Sequence, residues 1–298
     1  MQPITSDRLR TLYTAFSTAF QGGLTGVSPT WNRIAMRIPS TTEANEYGWL
    51  EQLPRIREWI GDRVIHGIKA SDYRLRNKPW EMTIGVDRDK IEDDNVGIFA
   101  ALFQEMGRAT AVFPDELVFG LAKNAFSTAC YDGQFFFDSD HPVLDENGVA
   151  QSVSNTGGGS GTRWMLLDTS RPIKPFIFQE RRAFDFVRMD APTDEVVFNR
   201  KEYRYGVDGR GTAGFGLWQL AYGSRSTLNA TNYAAARQAM MNMRGDYGRP
   251  LGVRPNLLVV PPSLETAARE ILVNDRLASG ATNTWQNTAE LFVTEWLE

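Results

Sequence analysis

The first hydrophobic pattern along the chain predicts an amphipathic helix over residues 6–21. Apolar side chains recur there at the spacing of one helix face, namely Leu9, Leu12, Tyr13, Phe16 and Phe20. Ser6 is suited to cap this helix, and Gly22 with Gly23 is expected to end it. Such a helix can dock on its own domain or lie on a neighbouring subunit, and the sequence leaves both arrangements open.

Two weaker patterns follow. Residues 31–40 alternate in part between apolar and polar side chains and predict a short strand. Residues 41–60 have helix-like apolar spacing, which Pro54 would break or kink.

Residues 62–87, which we call the excursion, read as two extended, charged limbs around a turn at residues 70–72. From Trp80 to Val86 apolar and polar residues alternate cleanly, which predicts a strand with one apolar face. A two-stranded hairpin is marginally stable alone, and the sequence shows no core for this one. We therefore expect the excursion to lie on a neighbouring copy of the chain.

The excursion is basic although the whole protein is acidic. The residues expected at the subunit interface are Arg63, Lys69, Arg74, Arg76, Lys78 and Trp80. The alternative is a solvated hairpin whose basic residues protect its edges from pairing.

A long helix is predicted over residues 94–126, with Asp93 or Asp94 as its cap. Its apolar stripe consists of Val96, Phe99, Leu102, Phe103, Met106 and Ala109, and continues with Leu117, Val118, Leu121 and Phe126. Pro114 is placed to start a second helical run. If the two runs are collinear, the helix spans about 50 Å.

The remainder predicts mixed structure. Residues 131–162 are rich in loop-forming residues, and short strands are expected at residues 164–167, 176–178 and 184–187. A strand pair is expected at residues 195–205 and 214–221, joined by residues 206–213. The last quarter predicts helix 232–244, strand 256–260, a helix capped by Ser263, a polar loop at residues 274–287 and strand 289–297, which is typical of a small α/β unit.

The composition and charge of the chain argue against several classes of protein. The 298 residues carry a net charge of −4 without a basic domain, which argues against tight sequence-independent binding of nucleic acid. The single Cys130 excludes an intrachain disulfide and indicates a reducing compartment. The N-terminal sequence lacks a signal-peptide pattern, and no apolar run approaches the roughly 20 residues of a membrane span, so a cytosolic, soluble protein is expected.

Candidate chemistry is sparse. Asp138, Asp140 and His141 could supply metal ligands, but their spacing matches no strong motif, and a turn with a capped histidine is favoured. Cys130 lacks a C-x-x-C partner and is expected to be an inert thiol. The glycines at residues 157–159 lack the P-loop ending. We therefore predict no enzyme, no cofactor and no metal site, with a hydrolase built on Asp138, Asp140 and His141 as the alternative of another class.

Six stretches together resemble one known family. They are REWIGDR (57–63), NKPWEMTIGVDRDKIEDD (77–94), YDGQFFFDSDHP (131–142), LLDTSRPIKPFIFQERR (166–182), GFGLWQLA (214–221) and RPNLLVVPPSLE (254–265). The order of elements resembles the Hong Kong 97-type fold of tailed-phage capsids, and the sequence resembles the major head subunit of Mu-like phages and prophages.

The resemblance implies an α+β fold with five parts. They are an N-terminal arm and connecting helix at 1–61, an extended loop at 62–89, a peripheral β-rich domain at 90–230 with a spine helix at 94–126, an axial α/β domain at 231–288, and a C-terminal strand at 289–298. It transfers no active site.

The resemblance also implies partners. Copies would form hexamers and pentamers of an icosahedral phage head, assembled in the bacterial cytoplasm and enclosing double-stranded DNA without sequence-specific contact or a membrane. Because the chain starts at the arm, a separate scaffolding protein is expected, with a portal; a decoration protein is a further candidate partner. The alternative with the same fold is the shell of an encapsulin-like nanocompartment that encloses an enzyme.

Overall fold

The computed structural model describes residues 5–51, 73–92, 96–191, 193–277 and 280–298. The α-helices in these ranges are α1 (Ser6–Thr25), α2 (Arg88–Glu92), α3 (Val96–Lys123), α4 (Glu195–Arg200), α5 (Ala230–Met241) and α6 (Glu265–Leu272). The strands of the first half are β1 (Ala35–Pro39), β2 (Ala44–Glu46), β3 (Arg74–Arg76), β4 (Lys78–Asp87), β5 (His141–Leu144) and β6 (Ala150–Val153). The later strands are β7 (Thr156–Gly159), β8 (Trp164–Leu167), β9 (Phe176–Met189), β10 (Glu202–Phe215), β11 (Ala221–Arg225), β12 (Arg244–Gly245), β13 (Arg249–Pro250), β14 (Leu257–Val260) and β15 (Glu290–Val293). None of the helices within these ranges is long and apolar enough to cross a membrane.

The first layer is a four-stranded sheet with the strand order β1-β9-β10-β4. The long strands β9 and β10 pair antiparallel, β1 joins β9 in parallel, and β4 pairs antiparallel with β10 at the edge. The predicted alternation of β4 is confirmed, since Met82, Ile84 and Val86 turn inward between exposed neighbours. The described limb of the excursion therefore has a core within its own chain, and the expectation that it has none is wrong.

The expectation of a loop at residues 206–213 is also wrong, because those residues lie inside β10. The glycines that suggested a turn are packing positions. A Cβ atom at Gly209 would lie 3.0 Å from the Phe184 ring, and one at Gly214 would lie 2.1 Å from Leu75. A larger residue at either position would have to displace these side chains, so glycine here permits close packing instead of ending a strand.

A five-stranded sheet in the order β15-β14-β8-β11-β7 forms the second layer. The strands β8 and β14 are buried along their whole length, as expected for strands covered on both faces. This sheet combines strands from both sides of the predicted boundary at residue 230. The proposed division into peripheral and axial domains therefore does not follow the sheets, and its bounds stay a prediction.

The helix α1 packs lengthwise on α3 and is longer than predicted. Thr5, not Ser6, caps it, since the Thr5 side chain accepts the N–H of Arg8 at 3.3 Å. Gly22 and Gly23 lie inside the helix. A Cβ atom at Gly23 would lie 1.8 Å from the backbone oxygen of Gln104, so this glycine lets the two helix backbones approach. The N-terminal helix thus docks on its own subunit.

The helix α3 matches the predicted spine. It runs without interruption through Pro114 for 28 residues, about 42 Å at 1.5 Å per residue. Just after Pro114, the buried Asp115 carboxylate accepts the backbone N–H groups of Thr30 and Trp31 at 2.8 and 2.5 Å. Burial raises the pKa of Asp115, and these backbone hydrogen bonds oppose that rise. This carboxylate fastens the segment after α1 to the middle of the spine.

Other local expectations need correction. The predicted helix at 41–60 is, in its described part, the strand β2 and a 3₁₀ turn at Gly48–Glu51; residues 52–60 lie outside the described residues, as do Arg63 and Lys69. The predicted strand at 195–205 begins as α4, and Lys201 caps the C-terminus of this helix in the left-handed conformation, with φ of 55°. Ser263 lies in a 3₁₀ turn before α6, and β15 ends at Val293, before a further 3₁₀ turn.

Two adjacent glycines of α1 allow the helix contact to be tested. Gly23→Ala should lower the free energy of unfolding by about 1–3 kcal/mol, because the added methyl group overpacks the contact with Gln104. Gly22→Ala meets nothing within 4 Å and should be neutral or stabilising by up to about 1 kcal/mol, because alanine favours the helix. Urea denaturation of both variants measures the difference. Equal effects would show that the backbones do not meet at Gly23.

Candidate functional site

The described basic residues of the excursion lie at the start of its return limb. Arg74 and Arg76 are exposed on β3, and Lys78 is exposed at the first position of β4. Arg76 forms an ion pair with Glu43 at 2.8 Å, although both side chains are largely in solvent. Such a surface pair contributes little stability, so these cations stay accessible to another surface.

Trp80 is bound within its own chain. Its indole N–H donates to the backbone oxygen of Gly211 at 3.0 Å, and its ring meets that of Phe113 edge-on, with centroids 4.9 Å apart. The side chain is half-buried between β10 and α3. Trp80 therefore holds the return limb against the spine, whatever a neighbouring subunit adds.

A row of carboxylates crosses the outer face of the four-stranded sheet. Asp208 on β10 lies directly opposite Asp185 on β9 and directly opposite Glu81 on β4. Residues opposite each other share a face, with Cβ atoms about 4.5–5.5 Å apart, and like charges there destabilise a sheet. Asp208 is paired with Arg182. We call Glu81, Asp185 and Asp208 the acidic row; it offers negative charge on a face whose described residues include no covering element.

The alternative hydrolase site is not assembled. The Asp138 carboxylate accepts the backbone N–H groups of Phe135 and Ser139 at 3.2 and 2.7 Å, as in a capped turn. Asp140 is exposed. His141 is fully buried and turns to other partners. The preferred expectation, a turn with a capped histidine, holds only for the turn, which Asp138 caps, because His141 begins β5 and contacts Asp132.

The partners of His141 form a closed polar cluster. Its Nδ1 lies 2.7 Å from Asp132 Oδ2, and its Nε2 lies 3.2 Å from Asn155 Oδ1. The Cys130 thiol donates to Asp132 Oδ1 at 3.0 Å. The imidazole stacks on the Trp218 ring, with centroids 3.9 Å apart. The cluster joins the chain after α3, the start of β5 and the residue before β7.

The electrostatics of this cluster argue against nucleophilic catalysis. Burial raises the pKa of Asp132, but the hydrogen bonds from His141 and Cys130 outweigh burial and hold this pKa below its ordinary value of 3.8. Burial, and then the Asp132 carboxylate, raise the pKa of the Cys130 thiol well above its ordinary value. A buried neutral thiol is a poor nucleophile.

A cavity of about 430 Å³ lies between α1, α4 and β10. Its lining consists of Ser6, Leu9, Arg88, Val197, Phe198, Lys201 and Tyr203. The lining includes no carboxylate and no histidine; its ionisable side chains are those of Arg88, Lys201 and Tyr203.

Comparison with known proteins decides the family. A family model described as the Mu-like prophage major head subunit gpT matches residues 9–297. The chain belongs to this family. The identification made from sequence stretches is confirmed, and this protein is a phage major head subunit.

Individual relatives agree along almost the whole chain. The major capsid protein of Escherichia phage Mu is 42% identical over 303 aligned residues, which cover 99% of each chain. The procapsid of bacteriophage JBD30 contains a chain 48% identical, with a TM-score of 0.86 and coverage of 99% of this head subunit and 100% of that chain. The JBD30 capsid decorated with minor capsid protein trimers gives 36% identity, a TM-score of 0.77 and 93% coverage of both chains. The predicted α+β capsid fold is confirmed.

The Cys130–Asp132–His141 cluster is absent from the sites expected from the sequence. Adjacency in the chain groups His141 with Asp138 and Asp140, whereas the structure pairs it with Asp132, across the turn of residues 133–140. The signal present in the sequence was the recurrence of Cys, Asp and His within residues 130–141, which is not a recognised ligand spacing.

The pH dependence of stability tests the Asp132 contacts. Because the folded-state pKa of Asp132 lies below 3.8, its stabilisation is fully present above about pH 4 and is lost as the pH falls through the folded-state pKa. Asp132→Asn should cost about 2 kcal/mol at pH 7, and the difference from the wild type should shrink below about pH 4. Urea unfolding across this pH range measures it.

Asp140→Asn, at an exposed carboxylate of the same turn, is the matched control and should change stability little. A penalty for Asp132→Asn that stays constant down to the acid limit would contradict the assigned pKa direction.

Proposed function

We propose that this head subunit assembles into hexamers and pentamers that close into an icosahedral head around double-stranded DNA. The observation that carries the proposal is the near-complete match to the chain of the JBD30 procapsid, a TM-score of 0.86 at 48% identity. The role is structural, and we propose no catalysis. A net charge of −4 suits a wall that encloses DNA without binding it tightly.

The contact that we propose between subunits joins opposite charges. The basic side chains of the excursion, Arg74, Arg76 and Lys78 with Arg63 and Lys69, would meet the acidic row of the neighbouring copy. Different patches then meet around a ring, which is the heterologous contact that closes cyclic assemblies. Cations supplied by the neighbour would also offset the repulsion within the row.

Exposed apolar side chains also support association between subunits. Val187 and Met189 are about half exposed on β9, on the outer side of the sheet. Ile98 on α3 is 72% exposed. Large apolar side chains in solvent commonly mark association surfaces, so the subunit presents both charge and apolar area to a neighbour.

Further partners follow from the relatives. The JBD30 capsid carries trimers of a minor capsid protein, and we propose a comparable decoration protein here, together with a scaffolding protein and a portal. The nanocompartment alternative keeps the fold but changes the cargo. The full-length relatives are phage head proteins, which favours DNA as the cargo.

Charge reversal tests the proposed contact. The triple variant Arg74→Glu, Arg76→Glu, Lys78→Glu should leave the subunit folded, because all three side chains are exposed, and should reduce the yield of closed shells by at least about tenfold, the effect of losing about 1.4 kcal/mol per contact. Electron microscopy and sedimentation of assembly reactions measure the yield.

Two control variants distinguish an effect of charge from an effect of changing the side chains. Arg74→Lys, Arg76→Lys, Lys78→Arg keeps the charge and should assemble. Adding Glu81→Lys and Asp185→Lys to the reversed triple variant should restore shells, because the charge pattern is exchanged. Normal shell yield from the reversed triple variant would disprove this role of the excursion.

A further inference from the structure

The polar cluster behind α3 contains three different donor groups within reach of one ion. Cys130 Sγ, a carboxylate oxygen of Asp132 and a ring nitrogen of His141 all lie within 4.8 Å of one another. Cys130 is 5% exposed and His141 0%, so both side chains are buried. Thiolate, imidazole and carboxylate are the ligands that Zn²⁺ takes in proteins.

The hydrogen bonds of Asn155 determine which of its side-chain atoms lies next to His141 Nε2. The Asn155 amide nitrogen donates to the backbone oxygens of Phe136 and Trp218, at 2.8 and 3.3 Å. Its Oδ1 accepts the backbone N–H of Asp138 at 2.9 Å. The atom turned toward His141 Nε2 is therefore an acceptor, and Nε2 carries the proton.

The other ring nitrogen also faces an acceptor, the Asp132 carboxylate. A neutral imidazole has one N–H only. With that proton on Nε2, a lone pair on Nδ1 would face a carboxylate oxygen at 2.7 Å. A second proton or a metal ion at Nδ1 would satisfy both acceptors. A metal ion would in addition lie within reach of the Cys130 sulfur, which contacts the other oxygen of the same carboxylate at 3.0 Å.

We propose that Cys130 Sγ, Asp132 and His141 Nδ1 bind a Zn²⁺ ion that holds the turn after α3 to β5. Zinc–ligand bonds of about 2.0–2.3 Å put neighbouring ligand atoms of a tetrahedron about 3.3–3.5 Å apart. Here Nδ1 lies 2.7 Å from one Asp132 oxygen and Sγ lies 3.0 Å from the other. All three donor groups lie within 4.8 Å of one another, so small side-chain rotations would bring them to the distances that the ion requires. A water molecule or the second Asp132 oxygen would complete the coordination.

The surroundings match those of metal-binding histidines. Such a histidine usually donates its other N–H to a carbonyl or carboxylate oxygen, which fixes the ring. Asn155 Oδ1 supplies that acceptor, and the Trp218 ring covers the imidazole face. The buried thiol, protonated in the metal-free protein, would lose its proton to solvent on binding, since a coordinating thiol is deprotonated.

The role of the ion would be structural. It would connect the end of the spine to β5 and, through Asn155, to β7, in addition to backbone hydrogen bonds such as that from Phe137 N–H to the Ala125 oxygen at 3.1 Å. A metal bound by the folded chain alone stabilises the fold by linkage. The inference does not depend on the assembly proposal and is tested on the unassembled subunit.

Metal analysis tests the site directly. The subunit purified without chelator and dialysed against micromolar Zn²⁺ should contain about one zinc per chain by inductively coupled plasma mass spectrometry. After exchange into Co²⁺, a thiolate-to-cobalt charge-transfer band should appear in the near ultraviolet. Cys130→Ala should lose the band and at least about tenfold in zinc affinity, whereas Asp140→Asn should keep both.

The competing arrangement is a second proton on His141, with no metal. It predicts less than a tenth of an equivalent of zinc, no cobalt band and a thermal midpoint unaffected by EDTA, and these results would overturn the proposal. A zinc affinity that Cys130→Ala leaves unchanged would also overturn it. If Cys130→Ala does not fold, the cobalt band of the wild-type protein decides, because it reports the sulfur ligand.

Discussion

One helix has to satisfy two hydrophobic cores, and the rest of the fold is arranged around that constraint. The first half of α3 buries Phe103 and Met106 in a cluster with α1, β4 and β10. Its second half buries Val118 and Phe119 in a larger cluster with the five-stranded sheet. Close packing in protein interiors transmits small displacements, so the two sheets are positioned by a single rigid element.

The sequence correctly predicts those helices and strands whose burial is visible in the order of apolar and polar residues within the element itself. The strand at Trp164–Leu167 belongs to this class because a strand buried on both faces is a continuous apolar run, and α3 belongs to it because its buried face recurs at helical spacing. The errors have a different origin. Gly23 and Gly209 look like stop signals, yet each is required by an atom on a distant segment, Gln104 and Phe184. A glycine that makes room for a neighbour cannot be told from one that turns the chain until the neighbour is placed.

The polar cluster shows the same limit for chemistry. The sequence places Asp138 and Asp140 next to His141, but the Asp138 carboxylate caps a turn and Asp140 is exposed. The actual partner of His141, Asp132, is separated from it by the residues of that turn. Loops bring together side chains at spacings that no periodicity describes, so the membership of such a cluster follows from the fold and not from the pattern.

Assembly gives a physical reason for features that burden an isolated subunit. Directly opposed carboxylates destabilise a sheet by a fraction of a kcal/mol up to about 1 kcal/mol per pair, and β4 leaves its outer edge unpaired among the described residues, an arrangement prone to unwanted pairing. In the proposed contact, both costs would fall, because a neighbouring copy would supply cations and cover the edge. Each such contact would be weak by itself, but every subunit of a closed ring would make it twice, once with each neighbour. A modest gain per contact would then suffice to favour the shell over single subunits.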